Sequence, residues 1–249
     1  MNTRLLCICL FFTLPALGQN NQALKDSATS NKSGNIKHRI SIGGSVGCGI
    51  PMEGYGLNSA NSSSKYLIGY ADPGVSFNIN CSFRITRHFG LMVEGGGAIN
   101  TLNKKFYNEA GDGIIGGTGG TYYIANLMAG PFFSIPFKNG DVFETRFLIG
   151  SMTLNKSTIF LAYSDAFQPA SIATIEGFSN TGLCAELGAK FKFRITNHFY
   201  LTADISYIQS GAYDLYYDYS VLMWSPGPGG APLGPLGILN TSLGVEFKL

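Results

Sequence analysis

Eleven ionisable side chains share one phase of a set of alternating segments: Arg84, Glu94, Glu144, Arg146, Glu186, Lys190, Lys192, Arg194, Asp204, Glu246 and Lys248. Five are acids and six are bases. Charges taken out of water must be matched, or their desolvation is not recovered. A nearly balanced set therefore suits mutual pairing, and an interior charge network is expected if this phase points inward. Bond-breaking chemistry asks for more, namely a nucleophile with a base beside it. The chain has three histidines, His38, His88 and His198. His88 and His198 fall in short turns and His38 at the start of the first segment, so all three are expected at one end. The long connections hold no histidine, only scattered acids such as Glu53, Asp165, Glu176, Asp214 and Asp218. No catalytic residue, cofactor or metal site is assigned. The glycine-rich stretch 111–120 lacks the Lys-Ser/Thr ending of a phosphate loop and precedes a strand pattern rather than a helix, so it reads as a flexible connection. Tyr213, Tyr216, Tyr217, Tyr219 and Trp224 lie together in the last long connection. Such side chains give large, stiff contact area at low entropic cost, which suits a protein or glycan partner. Packing on one another, or at a membrane boundary, would use the same residues.

The elements that must position these groups are strands. Eight segments alternate with period two: Arg39 to Pro51, Val75 to Ile85, Phe89 to Leu102, Tyr122 to Phe137, Val142 to about Leu154, Gly182 to Ile195, Phe199 to Ile208 and Leu239 to Leu249. In the last, Leu239, Thr241, Leu243, Val245, Phe247 and Leu249 oppose Asn240, Ser242, Gly244, Glu246 and Lys248. Pro131 and Pro136 weaken the fourth segment. Short turns (86–88, 138–141 and 196–198) alternate with long connections. The turn Phe83-Arg84-Ile85-Thr86-Arg87-His88-Phe89 recurs as Phe193-Arg194-Ile195-Thr196-Asn197-His198-Phe199, 110 positions later. Phe83, Phe89, Phe137, Phe143, Phe193, Phe199 and Phe247 all fall on the apolar phase near a short turn or the last residues.

Charged residues make up 13% of the chain, about half the usual share. The net charge of +2 and the lack of a dense Lys/Arg cluster argue against nucleic acid. Residues 1–18 read as a signal peptide: Arg4, an apolar run from Leu5 to Leu17, and a small-residue site at Ala16-Leu17-Gly18. That run is shorter than the roughly 20 residues a spanning helix needs. Residues 19–37 read as a polar, flexible periplasmic tail, and 38–249 as a barrel. Cys48, Cys81 and Cys184 form no disulfide framework or metal spacing and read as small outward-facing residues. Sorted turns and long connections, an even strand count and an aromatic ring at one level are the pattern of a transmembrane barrel. The expected fold is therefore all-β: an eight-stranded antiparallel up-and-down transmembrane barrel with short periplasmic turns and long extracellular loops. Its apolar phase meets lipid. Its polar phase fills an interior just wide enough for side chains.

The signal end at Gly18-Gln19, the two Phe-Arg-Ile-Thr-x-His-Phe turns and the ending Gly244-Val245-Glu246-Phe247-Lys248-Leu249 resemble those of small Gram-negative outer-membrane barrels. The architecture resembles the OmpA/OmpX-like eight-stranded barrels and, in sequence style, the outer-membrane beta-barrel domain family that includes PorT-like proteins. The resemblance implies outer-membrane location, lipid as partner and recognition of the last strand by the barrel-assembly machinery. Leu249 departs from the terminal aromatic common in such barrels, and Phe247 is expected to take its place. The resemblance also leaves room for an accessory part in a secretion or uptake complex. A narrow solute channel and a lipid-modifying enzyme are further alternatives, the latter disfavoured by where the histidines fall.

Overall fold

The computed structural model describes residues 39–52, 71–103, 114–165, 168–175, 177–211, 213–217, 229–233 and 236–249. The signal segment, the tail and His38 lie outside them. Eight strands close into one barrel: β1 (Ile40–Met52), β2 (Gly74–Arg84), β3 (Phe89–Asn100), β5 (Tyr122–Pro136), β6 (Val142–Lys156), β9 (Phe178–Arg194), β10 (Phe199–Ser210) and β13 (Leu236–Lys248). Each barrel strand pairs antiparallel with the one before it in the chain, and β13 closes on β1. The seam runs from Ser41↔Lys248 through Ile42↔Phe247 and Ile50↔Leu239 to Met52↔Gly237. Closure leaves no barrel edge with unpaired backbone groups, the condition for crossing a bilayer with strands.

Pleating separates the two phases. Val46, Ile79, Leu127, Ile149, Leu187 and Leu243 point outward and are exposed, while Ser76, Asn80, Glu94, Glu144, Thr202 and Glu246 point inward and are buried. The strands have 11 to 17 residues, more than the roughly 9–11 a tilted spanning strand requires. β5 runs through Pro131. Its pairing with β3 is unbroken there, while positions 130 and 131 drop out of the ladder with β6. The proline's missing donor thus weakens one side of the strand without ending it.

Five more strands lie in the long connections: β4 (Ile114–Gly119), β7 (Ile159–Asp165), β8 (Gln168–Ile175), β11 (Tyr213–Tyr217) and β12 (Gly229–Leu233). They form a three-stranded sheet, β4-β7-β8, and a two-stranded one, β11-β12. The glycine-rich stretch is thus in part a paired strand rather than a free connection. Its own pattern gives no alternation, because what orders it is pairing with β7, from a different connection. Gly119 and Gly120 follow with φ of +97° and +82°. This left-handed geometry favours glycine, and it redirects the chain from β4 into β5. Ser157 Oγ accepts hydrogen bonds from the Gly120 and Thr121 N–H groups at 3.1 and 2.9 Å, fixing that junction against the end of β6.

Candidate functional site

Register decides which inward charges meet. Arg146 on β6 faces Gly188 across the ladder. A Cβ at 188 would sit 2.7 Å from Arg146 Cζ, so the missing side chain is what lets the guanidinium lie over β9. Arg146 Nη1 and Nη2 donate to Asp204 Oδ2 and Oδ1 at 2.7 and 3.1 Å, a two-pronged contact matching the planar fork to the carboxylate. Arg146 Nε donates to Glu186 Oε1 at 2.7 Å and lies 3.4 Å from Glu94 Oε2. Lys190 Nζ lies 3.5 Å from Asp204 Oδ2 and donates to Asn80 Oδ1 at 3.0 Å. Nearer the turns, Lys192 Nζ sits between Glu144 Oε2 and Glu246 Oε1, 2.7 Å from each. These eight charged side chains come from β3, β6, β9, β10 and β13, and all are buried.

Arg84, Arg194 and Lys248 are not in this network, contrary to the balanced set expected from the pattern. Each is the last inward-phase residue of its strand, so it reaches the turn-end mouth instead of the closed interior. Arg84 is half-buried and Arg194 exposed. The Arg194 guanidinium donates to Asn197 Oδ1 within its own turn. Lys248 Nζ lies 3.8 Å from the Tyr200 ring centroid, a cation–π contact. Of the eleven, five acids and three bases therefore lie in the closed interior and three bases at the rim; Lys156, buried on the same phase of β6 with Nζ 5.6 Å from the Tyr122 ring centroid, adds a fourth interior base near the loop end.

The pattern also missed an apolar stopper at the loop end of the interior. Tyr122, Ile124, Met152, Leu154, Ile208 and Ile238 are buried there. Ile124 faces Leu154, and Ile208 faces Ile238, across neighbouring strands. Below them Met92, Met128, Phe132 and Leu148 fill the same phase as the charges. The available signal was the β6 phase itself, which reads Glu144, Arg146, Leu148, Gly150, Met152, Leu154 and so changes from charged to apolar along one face. Cys184 also points inward and is buried, rather than outward as expected, while Cys81 is exposed and Cys48 half-buried; all three are free. Cys48 faces Val75 and Cys81 faces Ile42, too far apart along the β1–β2 ladder to bridge.

The repeated turns build the same contacts twice. Thr86 Oγ1 accepts from the His88 and Phe89 N–H groups at 3.3 and 3.0 Å; Thr196 Oγ1 accepts from His198 and Phe199 at 3.3 and 3.1 Å. His88 Nδ1 lies 3.0 Å from the Ser134 carbonyl, and His198 Nδ1 lies 3.1 Å from that of Lys248. Each imidazole stacks on a phenylalanine of the strand paired with the one its turn leads into, Phe133 of β5 or Phe247 of β13. Phe83, Phe89, Phe133, Phe137, Phe193, Phe199 and Phe247 are all exposed at this level. Phe143 is only half-buried and joins the wall opposite Phe191.

Of the aromatic residues in the last connection, Tyr213, Tyr216 and Tyr217 lie in β11, paired with β12. Tyr219 and Trp224 lie outside the described residues. Among the described residues no group of His, Cys, Asp and Glu is arranged to hold a metal ion, and no helix is long and apolar enough to cross a membrane.

No protein-family model and no curated protein matches the chain. Solved structures do. The outer membrane protein OprG from Pseudomonas aeruginosa is 11% identical, with 85% of this chain and 97% of that one covered at a TM-score of 0.47. Ail, the attachment invasion locus protein of Yersinia pestis, is 12% identical over 85% of this chain and 99% of that one, at a TM-score of 0.44. Neisserial surface protein A is 11% identical over 84% and 97%, also at 0.44.

The outer surface speaks for itself. Every strand of the closed barrel carries exposed Val, Ile, Leu or Phe on its outward phase, forming an apolar belt of the kind that water-soluble monomers rarely expose. The inward phase keeps the charges. This is the inverse of a soluble barrel, and it is the distribution that a hydrocarbon solvent selects.

Proposed function

We propose that this chain is an integral outer-membrane barrel. Its short turns face the periplasm, and its strand extensions β4-β7-β8 and β11-β12 form the surface that contacts partners outside. The observation that carries the reading is the apolar outward belt around a fully closed, side-chain-filled barrel. The filled interior supports a structural or binding role rather than a channel, because inward side chains of both kinds occupy successive levels. A non-enzymatic role is favoured by the placement of His88 and His198, both engaged with backbone carbonyls at the turns. The last strand, with Phe247 in the aromatic ring, is the segment we assign to the barrel-assembly machinery. The test is expression in a Gram-negative host. Heat-modifiable gel migration of outer-membrane material is expected, together with cleavage of the long connections, but not of 86–88 or 196–198, by protease added to intact cells. Recovery of the folded chain in the soluble fraction would refute the reading.

A further inference from the structure

The charge of the chain is sorted along the barrel axis. Among the described residues, Arg39, Arg84, Arg87, Lys138, Arg194 and Lys248 stand at the turn end, six bases against one acid side chain, Asp141. The closed interior has four bases, Lys156 included, and five acids, and the sequence of the long connections, 53–73, 101–121, 157–177 and 211–235, has three bases and eight acids. Asp141 is engaged with amide donors rather than with a side-chain cation. Its carboxylate accepts from the Asn139 amide at 2.5 Å and from the Arg194 backbone N–H at 2.9 Å. None of the six bases forms an ion pair with an acid side chain among the described residues.

Each of these bases lies at the axial level of the edge of the lipid-facing belt, although Arg84, Arg194 and Lys248 are on the inward phase. Arg84 is flanked by Phe83 and Ile85, Arg194 by Phe193 and Ile195, and Lys248 by Phe247 and Leu249; all six neighbours are exposed. Arg39 precedes exposed Ile40, Lys138 follows exposed Phe137, and Arg87 is two residues from exposed Phe89. One residue of strand advances about 3.3 Å. The belt's aromatic boundary thus places the cations at the depth of lipid phosphates, and long Lys and Arg stems can lie along apolar surface while their heads reach the headgroups.

We propose that the turn end is a binding surface for anionic phospholipid headgroups, contacted by the exposed Arg39, Arg87 and Lys138 and reinforced at longer range by Arg84, Arg194 and Lys248 at the mouth. The proposal rests on the reading that this end lies in the phospholipid leaflet. A soluble anionic polymer would also meet a basic mouth, but it would not call for the cations to lie level with the edge of the apolar belt. Headgroup binding at this end, and acid excess at the other, would also favour one orientation of the barrel over its inverse.

The experiment places the folded full-length chain in vesicles of phosphatidylcholine containing trace spin-labelled phosphatidylglycerol or spin-labelled phosphatidylcholine. The motionally restricted fraction of each label is measured at low and high salt. The wild type is expected to favour phosphatidylglycerol at least about fivefold, the factor one near-surface cation supplies, and to lose the preference at high salt. The R87Q/K138Q variant alters only exposed turn residues and should fold; it is expected to reduce the preference. R84Q/R194Q/K248Q, at the lumen mouth, should reduce it less than R87Q/K138Q does. K104Q/K105Q, which removes equal charge from the sequence connecting β3 to β4, should leave it unchanged. Equal restriction of both labels would overturn the proposal, as would an equal loss in K104Q/K105Q. Binding to isolated peptidoglycan that R87Q/K138Q abolishes, without lipid preference, would overturn it in favour of that polymer. No restricted component for either label would mean that the chain does not span the bilayer, which sinks the membrane reading itself.

Discussion

Arg146 faces three carboxylates, and its removal leaves Glu94, Glu186 and Asp204 with only Lys190 near them. Breaking a buried pair from one side is far costlier than the pair is worth, because the orphaned charge stays buried. Arg146→Ala is therefore expected to destabilise the barrel by about 3–5 kcal/mol, read as a shift in the urea unfolding midpoint in lipid. Arg146→Lys keeps the charge but loses the fork, so a smaller loss is expected. Gly188→Ala tests the same site without touching a charge. The added Cβ meets the guanidinium at 2.7 Å, so the Arg146 contacts must shift, at about 1–3 kcal/mol. An unchanged midpoint for Gly188→Ala would show that the guanidinium has another place to lie. At this scale the sequence revealed which residue types would be inside, since period-two phase assigns them. It did not reveal partners. Glu186 and Asp204 meet Arg146 through strand tilt and register around the barrel, which no local pattern contains.

The turns are the elements that the sequence exposed most fully, because their order is local. Thr-x-His-Phe contains its own acceptor for two backbone donors. The repeat reaches further than the turn, however: His88 meets a carbonyl of β5 and His198 one of β13, each the strand paired with the one the turn leads into, and each stacks on a phenylalanine there. Phe89 faces Phe133 and Phe199 faces Phe247 in the two copies. Thr86→Ala and Thr196→Ala should each cost about 0.5–1.5 kcal/mol. The two turns lie on opposite sides of the closed strand order, so the double variant should cost the sum of the singles. A double-mutant cycle in unfolding free energy measures this, and a large interaction energy would contradict independent clips. The extensions β4, β7 and β8 were illegible for the opposite reason. Their short runs carry no alternation, and β4 is ordered by pairing with a segment some forty positions away: Gly117↔Leu161 and Thr118↔Phe160.

For the whole molecule, closure and the lipid-facing phase were readable because eight alternating runs with sorted connections leave few other solutions. The interior was only half readable. Charges are conspicuous in a sequence, whereas the inward Met128, Met152, Ile208 and Ile238 look like ordinary strand residues until register puts them on the polar phase. Their position changes what the barrel should conduct. The charge network and the apolar stopper occupy different levels of one narrow lumen, so they block in series. The intact barrel is expected to show no steady conductance in planar bilayers. Opening the polar level alone, with Arg146→Ala and Lys192→Ala, should leave the apolar level sealed. Trimming Met152, Ile208 and Ile238 to Ala alone should leave the polar level filled. Only the combined variant should pass small ions, provided that heat-modifiable migration shows it is still folded. Conductance in the intact barrel would contradict a filled interior. Conductance after opening the polar level alone would show that the stopper does not seal, and that the ion pairs are the only gate.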